Sequence, residues 1–382
     1  MDPLYLDHAA TTPVRPEVRE SMARCLGEAF GNPSSSHRWG RAARVTLDEA
    51  RRQVAAVLGA TPGEIHFVRG GTESDNLAIF GRAARARTEG RSPRIAVSAV
   101  EHPAVLRAAE AATAPGGAPV ILSVDRTGAL DMDALDRALL EGLDVVSVMW
   151  VNNEVGTALP VREVAERVRA AGSVFHSDAV QAVGTLTVRV DQLPVDLLTL
   201  TGHKIYGPKG TGILFVRRGV SLEPLLRGGG QEGGIRPGTE DVAGAVGFAE
   251  ALRLTVAEQE REHQRLSALR DDLERRLRSA VSGVRVHGED GPRAPHISSL
   301  GISGVDGASL VMALDMEGIG VSGGSACASG STRPSHVIEA MYGSDGTWAA
   351  LRFSLGRTTT DDDVRRAADA TARVVARLRD DG

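Results

Sequence analysis

The chain has 382 residues, 42% of them hydrophobic, with 44 Lys plus Arg against 49 Asp plus Glu and a formal net charge of −5. That length is ample for two domains and an enclosed site, and the near-balance of charge argues against a dedicated nucleic-acid or membrane-surface binder. No apolar run approaches a membrane span, and the acidic start Met1-Asp2-Pro3 lacks an apolar signal core, so a cytoplasmic location is expected. Two cysteines, Cys25 and Cys327, exclude a disulfide framework and an all-cysteine zinc or iron–sulfur site made by one chain.

In chain order, Val18–Leu26 has small and apolar residues at helical spacing, and Cys25 within it reads as a small buried hydrophobe. Ile65–Val68 is strand-like, and the following Gly70-Gly71-Thr72-Glu73-Ser74-Asp75-Asn76 opens a helix. Ile95–Val100 and Val145–Val151 are short and β-branched, as buried strands should be. Val161, Val164, Ala165 and Val168 share one helical face just after Pro160. Asp196–Leu200 and Gly212–Val216 read as further strands. From Asp241 to about Ala280 the pattern is one long helix, charged over Glu258–Arg278. Strand, helix, Gly-rich loop, strand and a last helix follow, that helix opened by Asp361, Asp362 and Asp363 at its positive dipole end. Strands alternating with amphipathic helices predict an α/β sheet with crossover helices. The predicted division is a large domain over 14–260 and a smaller one made of 1–13 with 261–382.

Thr201-Gly202-His203-Lys204 follows the strand 196–200 and leads into Tyr206-Gly207-Pro208-Lys209-Gly210. A lysine at a strand end among glycines suits Schiff-base chemistry, which needs an amine in a partly desolvated pocket where its pKa falls. Its plainer role is a surface lysine in a turn. Partners outweigh that role. Asp178 ends a strand and points to the ligand crevice of such a sheet, where pyridoxal phosphate needs a carboxylate beside its ring nitrogen. Helix capping is the plainer use of Asp178. Gln181 is placed to bond the ring's phenolic oxygen. Gly70 and Gly71 bring backbone N–H groups to a helix N-terminus, and with Thr201 and His203 as further donors they form a phosphate cup. His102, in Glu101-His102-Pro103, is either a turn histidine or an imidazole over the cofactor ring, able to move protons.

These motifs, with Tyr5-Leu6-Asp7-His8-Ala9-Ala10-Thr11-Thr12-Pro13, Phe30-Gly31-Asn32-Pro33-Ser34-Ser35, Asn152-Asn153-Glu154-Val155-Gly156, Gly228-Gly229-Gly230-Gln231-Glu232 and Arg352-Phe353-Ser354-Leu355-Gly356-Arg357, run almost end to end. In them the chain resembles the fold-type I pyridoxal-phosphate enzymes, and among these the cysteine desulfurases of the NifS/IscS class in the class-V aminotransferase family. The resemblance implies an α/β large domain with a mixed, mostly parallel seven-stranded sheet and a smaller α+β domain. It implies that Gly71, Thr72, Thr201 and His203 hold the phosphate, and that Asn153 contacts cofactor and substrate. It implies that Thr239 reaches the phosphate of a neighbouring subunit in a homodimer. Two residues depart from the pattern: Thr201 stands where serine is usual, which keeps a hydroxyl, and Gly233 where arginine is common, which is expected to loosen that loop or its dimer contact.

Ser322-Gly323-Gly324-Ser325-Ala326-Cys327-Ala328-Ser329-Gly330-Ser331 reads as a mobile exposed loop, and a thiol there is a reactive residue rather than a packing one. The expected chemistry converts L-cysteine to L-alanine. Lys204 removes the Cα proton, Cys327 takes the sulfur as a persulfide, and His102 serves as proton donor or acceptor. Arg352 is expected to grip the substrate carboxylate; its plainer role is a surface ion pair. The segment to His336 resembles the long-loop group, which implies transfer to a sulfur-acceptor or scaffold protein serving iron–sulfur cluster assembly, tRNA thiolation or DNA phosphorothioation. No direct nucleic-acid binding is expected. No metal site of the chain's own is expected either, although Cys327 is a candidate transient ligand of an iron–sulfur cluster. Selenocysteine lyase or another pyridoxal-phosphate enzyme, such as an aminotransferase-like one, and, more remotely, a non-catalytic sulfur carrier are the competing readings.

Overall fold

The computed structural model describes residues 2–113, 117–323, 335–343 and 348–380. In chain order the first half contains β1 (Leu4–Tyr5), α1 (Pro16–Glu28), α2 (Arg38–Leu58), β2 (Ile65–Val68), α3 (Gly71–Thr88), β3 (Ile95–Ser98), α4 (Pro103–Ala112), β4 (Val120–Leu122), α5 (Met132–Leu140), β5 (Val145–Ser147) and α6 (Val161–Ala170). The second half contains β6 (Val174–Asp178), β7 (Leu197–Thr201), β8 (Gly212–Val216), α7 (Val242–Ala280), β9 (Val284–Val286), β10 (Ile297–Ser303), α8 (Gly307–Met316), β11 (Ile319–Gly320), α9 (His336–Tyr342), β12 (Trp348–Ser354) and α10 (Asp361–Asp380).

A seven-stranded sheet has the order β2-β8-β7-β6-β5-β3-β4. Its pairs are parallel except those of β8, which is antiparallel to both β2 and β7. Since β2 and β7 both oppose β8, they run the same way. The C-terminal ends of β2, β3, β5, β6 and β7 therefore all open onto one edge. That edge is where a doubly wound sheet offers its ligand crevice. β5, β7 and β8 are buried along their whole length, and β6 is buried after Val174, as strands covered on both faces should be.

Two predicted strands end early, at Ser98 and Ser147 rather than Val100 and Val151. Past those residues the backbone still bonds its neighbours, Ala99 N–H to Leu122 O and Val148 N–H to His176 O, and Glu101 Oε1 ties the two chains together by accepting both the Ser98 hydroxyl and the Met149 N–H, each at 2.6 Å. Beyond that point Val151 bridges Ala158 instead.

Two apolar cores flank α7. Val242, Ala245, Phe248, Ala249 and Leu252 pack into the core around the large sheet. Leu266, Leu269, Leu273 and Leu277 pack into a second core with Leu4, Leu6, Leu300, Phe353 and one face of α10. Each buried leucine contributes about 2 kcal/mol, so this stripe, not the charged face opposite, fixes the second half of the helix. In that second core β10 pairs antiparallel with β12 and β9. α9 belongs elsewhere: Val337 and Met341 join the core of the large sheet. Cys25 is buried in α1, as its helical setting predicts. Among the described residues no helix is long and apolar enough to cross a membrane.

Candidate active site

The loops leaving β2, β3, β5, β6 and β7 bring the predicted residues to the same edge. Thr201 ends β7, and a single tight turn over Gly202–Lys204 follows. The Lys204 amine donates to the carbonyls of Ala9 and Ala10 at 2.5 and 2.7 Å. Those carbonyls arrive because residues 6–9 lie along β12: Ser354 N–H donates to Leu6 O, and Ala9 N–H to the Ser354 hydroxyl. The chain has only two lysines, and the other, Lys209, is exposed in the next turn. The charge of Lys204 acts on Asp178, His102, His203 and His296, which places all four around it.

Asp178 ends β6 and is buried. Its Oδ1 accepts the Val180 N–H at 2.9 Å, a two-residue turn rather than a helix cap. Burial raises its pKa to about 6, against the lowering effects of that N–H and of the Lys204 charge. Gln181, one turn on, donates to the same Ala9 carbonyl at 2.8 Å and accepts from His296 Nε2 at 3.2 Å. His102 is the N-cap of α4: its Nδ1 accepts the Ala104 N–H at 3.1 Å, which leaves the proton of the neutral ring on Nε2. Burial and then the Lys204 charge lower its pKa, so it is neutral at pH 7. His102 is thus a turn residue whose ring also lies within the field of Lys204.

The residues expected to form the cup lie at the start of α3. Gly70 has φ +132°, a region that L side chains avoid. A Cβ there would lie 3.8 Å from the Thr201 hydroxyl, and one on Gly71 would touch Val180 and Thr199, so cup, Thr201 and Asp178 strand are adjacent. Thr201 donates to Thr211 O at 3.1 Å, and His203 Nδ1 lies 3.3 Å from the Thr11 hydroxyl. Burial brings the His203 pKa down to about 4, so this ring offers a neutral N–H. Thr72 is exposed at the helix start.

Arg352 is not at the surface. It is 1% exposed, donating to Asp7 Oδ1 at 2.6 Å and to the Asn153 carbonyl at 2.7 Å, with Nε lacking a hydrogen bond. Asp7 is a partner that sequence reasoning did not assign, although it stands within a quoted motif. Thr239, expected to serve the cup of a neighbouring subunit, is exposed. Gly233 sits at φ +66°, where glycine is favoured, and the adjacent Glu232 forms a two-pronged pair with Arg51 at 2.7 Å. Cys327 lies in 324–334, outside the described residues. The chain enters that segment from Ser322, paired through its backbone with Arg352. It leaves at Ser335, whose hydroxyl donates to Glu154, and His336 donates to the Glu101 carbonyl at 2.9 Å. Among the described residues no group of three His, Cys, Asp or Glu is arranged around a metal ion.

Residues 4–367 match the family described as aminotransferase class-V. The chain is 43% identical over 377 residues to "Cysteine desulfurase IscS" of Dictyoglomus turgidum, covering 98% of this chain and 95% of that one. A solved structure titled "NIFS-LIKE PROTEIN" superposes with a TM-score of 0.90 at 33% identity, covering 98% of this chain and 100% of that one. Another, titled "SspA in complex with cysteine", superposes with a TM-score of 0.80 at 30% identity, covering 92% of this chain and 98% of that one. With this fold and these motifs, the chain belongs to the class-V aminotransferase family, whose enzymes depend on pyridoxal phosphate.

Proposed function

We propose that this chain is a cysteine desulfurase that converts L-cysteine to L-alanine and carries the sulfur on Cys327. The observation that supports it most is the meeting of Lys204, Asp178 and His102 at one sheet edge, in a family where such enzymes are relatives at 43% identity. The residues present fit pyridoxal phosphate. One lysine is buried enough to be held by two carbonyls, one carboxylate stands within its field, and a glycine cradle opens a helix beside it. Lys204 would hold the aldehyde carbon, Asp178 the ring nitrogen, and Gln181 the phenolic oxygen. Gly71, Thr72, Thr201 and His203 would hold the phosphate. When bound, the group supplies an electron sink next to the substrate's amine.

The chain's own residues supply the rest. Lys204, released from the cofactor, takes the Cα proton. Asp178 stays ionised against a protonated ring nitrogen. His102 offers a proton at Nε2 or accepts one there, and its neutral state at pH 7 allows both. The Cys327 thiolate attacks the substrate sulfur: an S–S bond forms, the C–S bond breaks, and the carbon fragment is protonated to alanine. Cysteine plus a thiol gives alanine plus a persulfide, with no outside oxidant. The anchoring of both ends of the Cys327 segment beside Arg352, Glu154 and Glu101 supports this role. Arg352 would bind the substrate carboxylate in exchange for, or together with, its Asp7 contact.

Residues 14–260 are proposed as the cofactor domain and 1–13 with 261–382 as the domain carrying Cys327. A homodimer in which Thr239 serves the neighbouring site is in keeping with exposed Leu26, Phe30, Trp39 and Leu226. A sulfur-acceptor protein and a cytoplasmic setting complete the proposal. The test supplies L-cysteine and measures alanine and bound sulfane sulfur. Cys327→Ala should bind pyridoxal phosphate as before yet lose both products. Undiminished alanine from that variant contradicts the persulfide route.

A further inference from the structure

Behind Asp178 lies a chain of buried polar groups whose protons can be placed one by one. Ser74 Oγ donates to the carbonyl of Ile213 at 3.0 Å, and a carbonyl only accepts. The single Ser74 proton is therefore used. Its Oγ must then accept from Thr199 Oγ1, 2.9 Å away, which uses the single Thr199 proton. Thr199 Oγ1 can now only accept. One lone pair faces His176 Nε2 at 3.0 Å, so that nitrogen carries hydrogen, and His176 Nδ1 accepts the Ser147 hydroxyl at 2.8 Å. The carboxyl of Asp75 is a further hydrogen-bonding neighbour of Thr199, and a Thr199 proton given to it would favour the ionised acid. With that proton directed at Ser74, two acceptors would face each other, so the contact calls for a proton on Asp75.

The surroundings agree. Asp75 is 1% exposed in the first turns of α3, next to the glycine cup. Its Oδ1 has no hydrogen bond and stands 3.7 Å from His176 Nε2, a ring that burial keeps neutral. The charged or titratable groups that act on it from the neighbouring elements are Asp178 on β6 and Glu101 after β3, both carboxyls. Burial and the Asp178 charge push its pKa well above the usual carboxylate range.

We propose that Asp75 is a positioning residue of the cofactor site: a neutral carboxylic acid that ties the phosphate-cup helix to Thr199 and leaves Asp178 as the ionised partner of the ring nitrogen. Through Thr199 it joins α3 to β6 and β7, the strands that carry Asp178 and lead to Lys204. This rests on the reading of Asp178 and Lys204 given above.

The experiment compares Asp75→Asn and Asp75→Leu with the wild type. An asparagine amide donates to Thr199 as the protonated acid does. Its apparent affinity for pyridoxal phosphate, titrated by absorbance into the apo protein, should stay within about twofold of wild type. The pH midpoint of the bound chromophore should not move. Leucine removes the donor and should weaken that affinity by about tenfold or more. A second readout needs no cofactor. A carboxyl whose folded pKa lies above its unfolded value stabilises below the unfolded pKa and loses that stability as pH rises through the folded pKa. Asp75→Asn lacks this loss, so its melting temperature relative to wild type should rise with pH from about 4 upward. An Asn variant that binds cofactor as poorly as Leu, or whose relative stability falls with pH, overturns the proposal. A Leu variant that does not fold leaves the asparagine comparison decisive. Failure of the wild type to bind pyridoxal phosphate would strike the cofactor reading, while the melting comparison would still decide the proton on Asp75.

Discussion

The two edges of the large sheet treat their carboxylates in opposite ways. At the edge where β5 and β7 begin, Asp144 accepts the Arg94 N–H and pairs with Arg91. Asp196 there accepts the Phe175 N–H at 3.0 Å and has Arg217 within 4.0 Å. At the edge where those strands end, Asp75, Glu101 and Asp178 are as deeply buried, yet among the described residues none is ion-paired with an arginine. The cation that acts on Asp178 is Lys204. A fold built only for stability would pair both edges alike. Burial raises the pKa of Asp196 too; what marks the ligand edge as a place for chemistry is that its raised carboxyls, Asp75, Glu101 and Asp178, gather there without an arginine partner among the described residues.

Substitution at each edge should separate the two roles. The largest effect is expected from Asp178→Asn, which keeps shape but removes the charge facing the ring nitrogen. Turnover of L-cysteine should fall by about 100-fold or more, with the apo protein melting at or above the wild-type temperature. A next, smaller effect concerns Glu101, whose pKa burial raises from its ordinary 4.5 to about 8. Its folded pKa exceeds its unfolded one, so its stabilising contribution is complete below about pH 4.5 and is lost as pH rises towards 8. Glu101→Gln keeps an oxygen for Ser98 and Met149, and should be relatively more stable at alkaline than at acid pH, by on the order of 2–4 kcal/mol. Thermal melts across that range read it directly. The smallest effect is Asp196→Ala at the opposite edge. It leaves the Phe175 N–H unsatisfied and should lower stability by about 1–3 kcal/mol without changing affinity for pyridoxal phosphate. A matching loss of cofactor affinity from Asp196→Ala would erase the distinction between the edges.

Much of this was legible in the chain. Ile65–Val68 and Gly212–Val216 are strands with the bounds that their apolar runs suggest, and the long helix after Asp241 is one helix to Ala280. These are local signals of period, caps and turns. The tie between the segments after β3 and β5 was not legible, because Glu101 makes it through a bond to Met149, a residue 48 positions away. Asp75 was hidden for a related reason: an acid in the first turns of a helix reads as a favourable dipole contact. Only the register of β6 and β7 behind it reveals a buried acid facing Asp178. Arg352 looked like a substrate ligand or a surface pair, while the fold buries it against Asp7, from the opposite end of the chain.

The central claim is that Lys204 is the amine that carries the cofactor, and the chain's composition makes it simple to test. Reducing the loaded protein with borohydride fixes pyridoxal phosphate to whichever amine holds it, and peptide mass spectrometry then locates the label. With two lysines in the chain, the label should fall on the peptide position of Lys204 and disappear in Lys204→Ala. A label on Lys209, or none after reduction of a protein saturated with cofactor, would contradict the account.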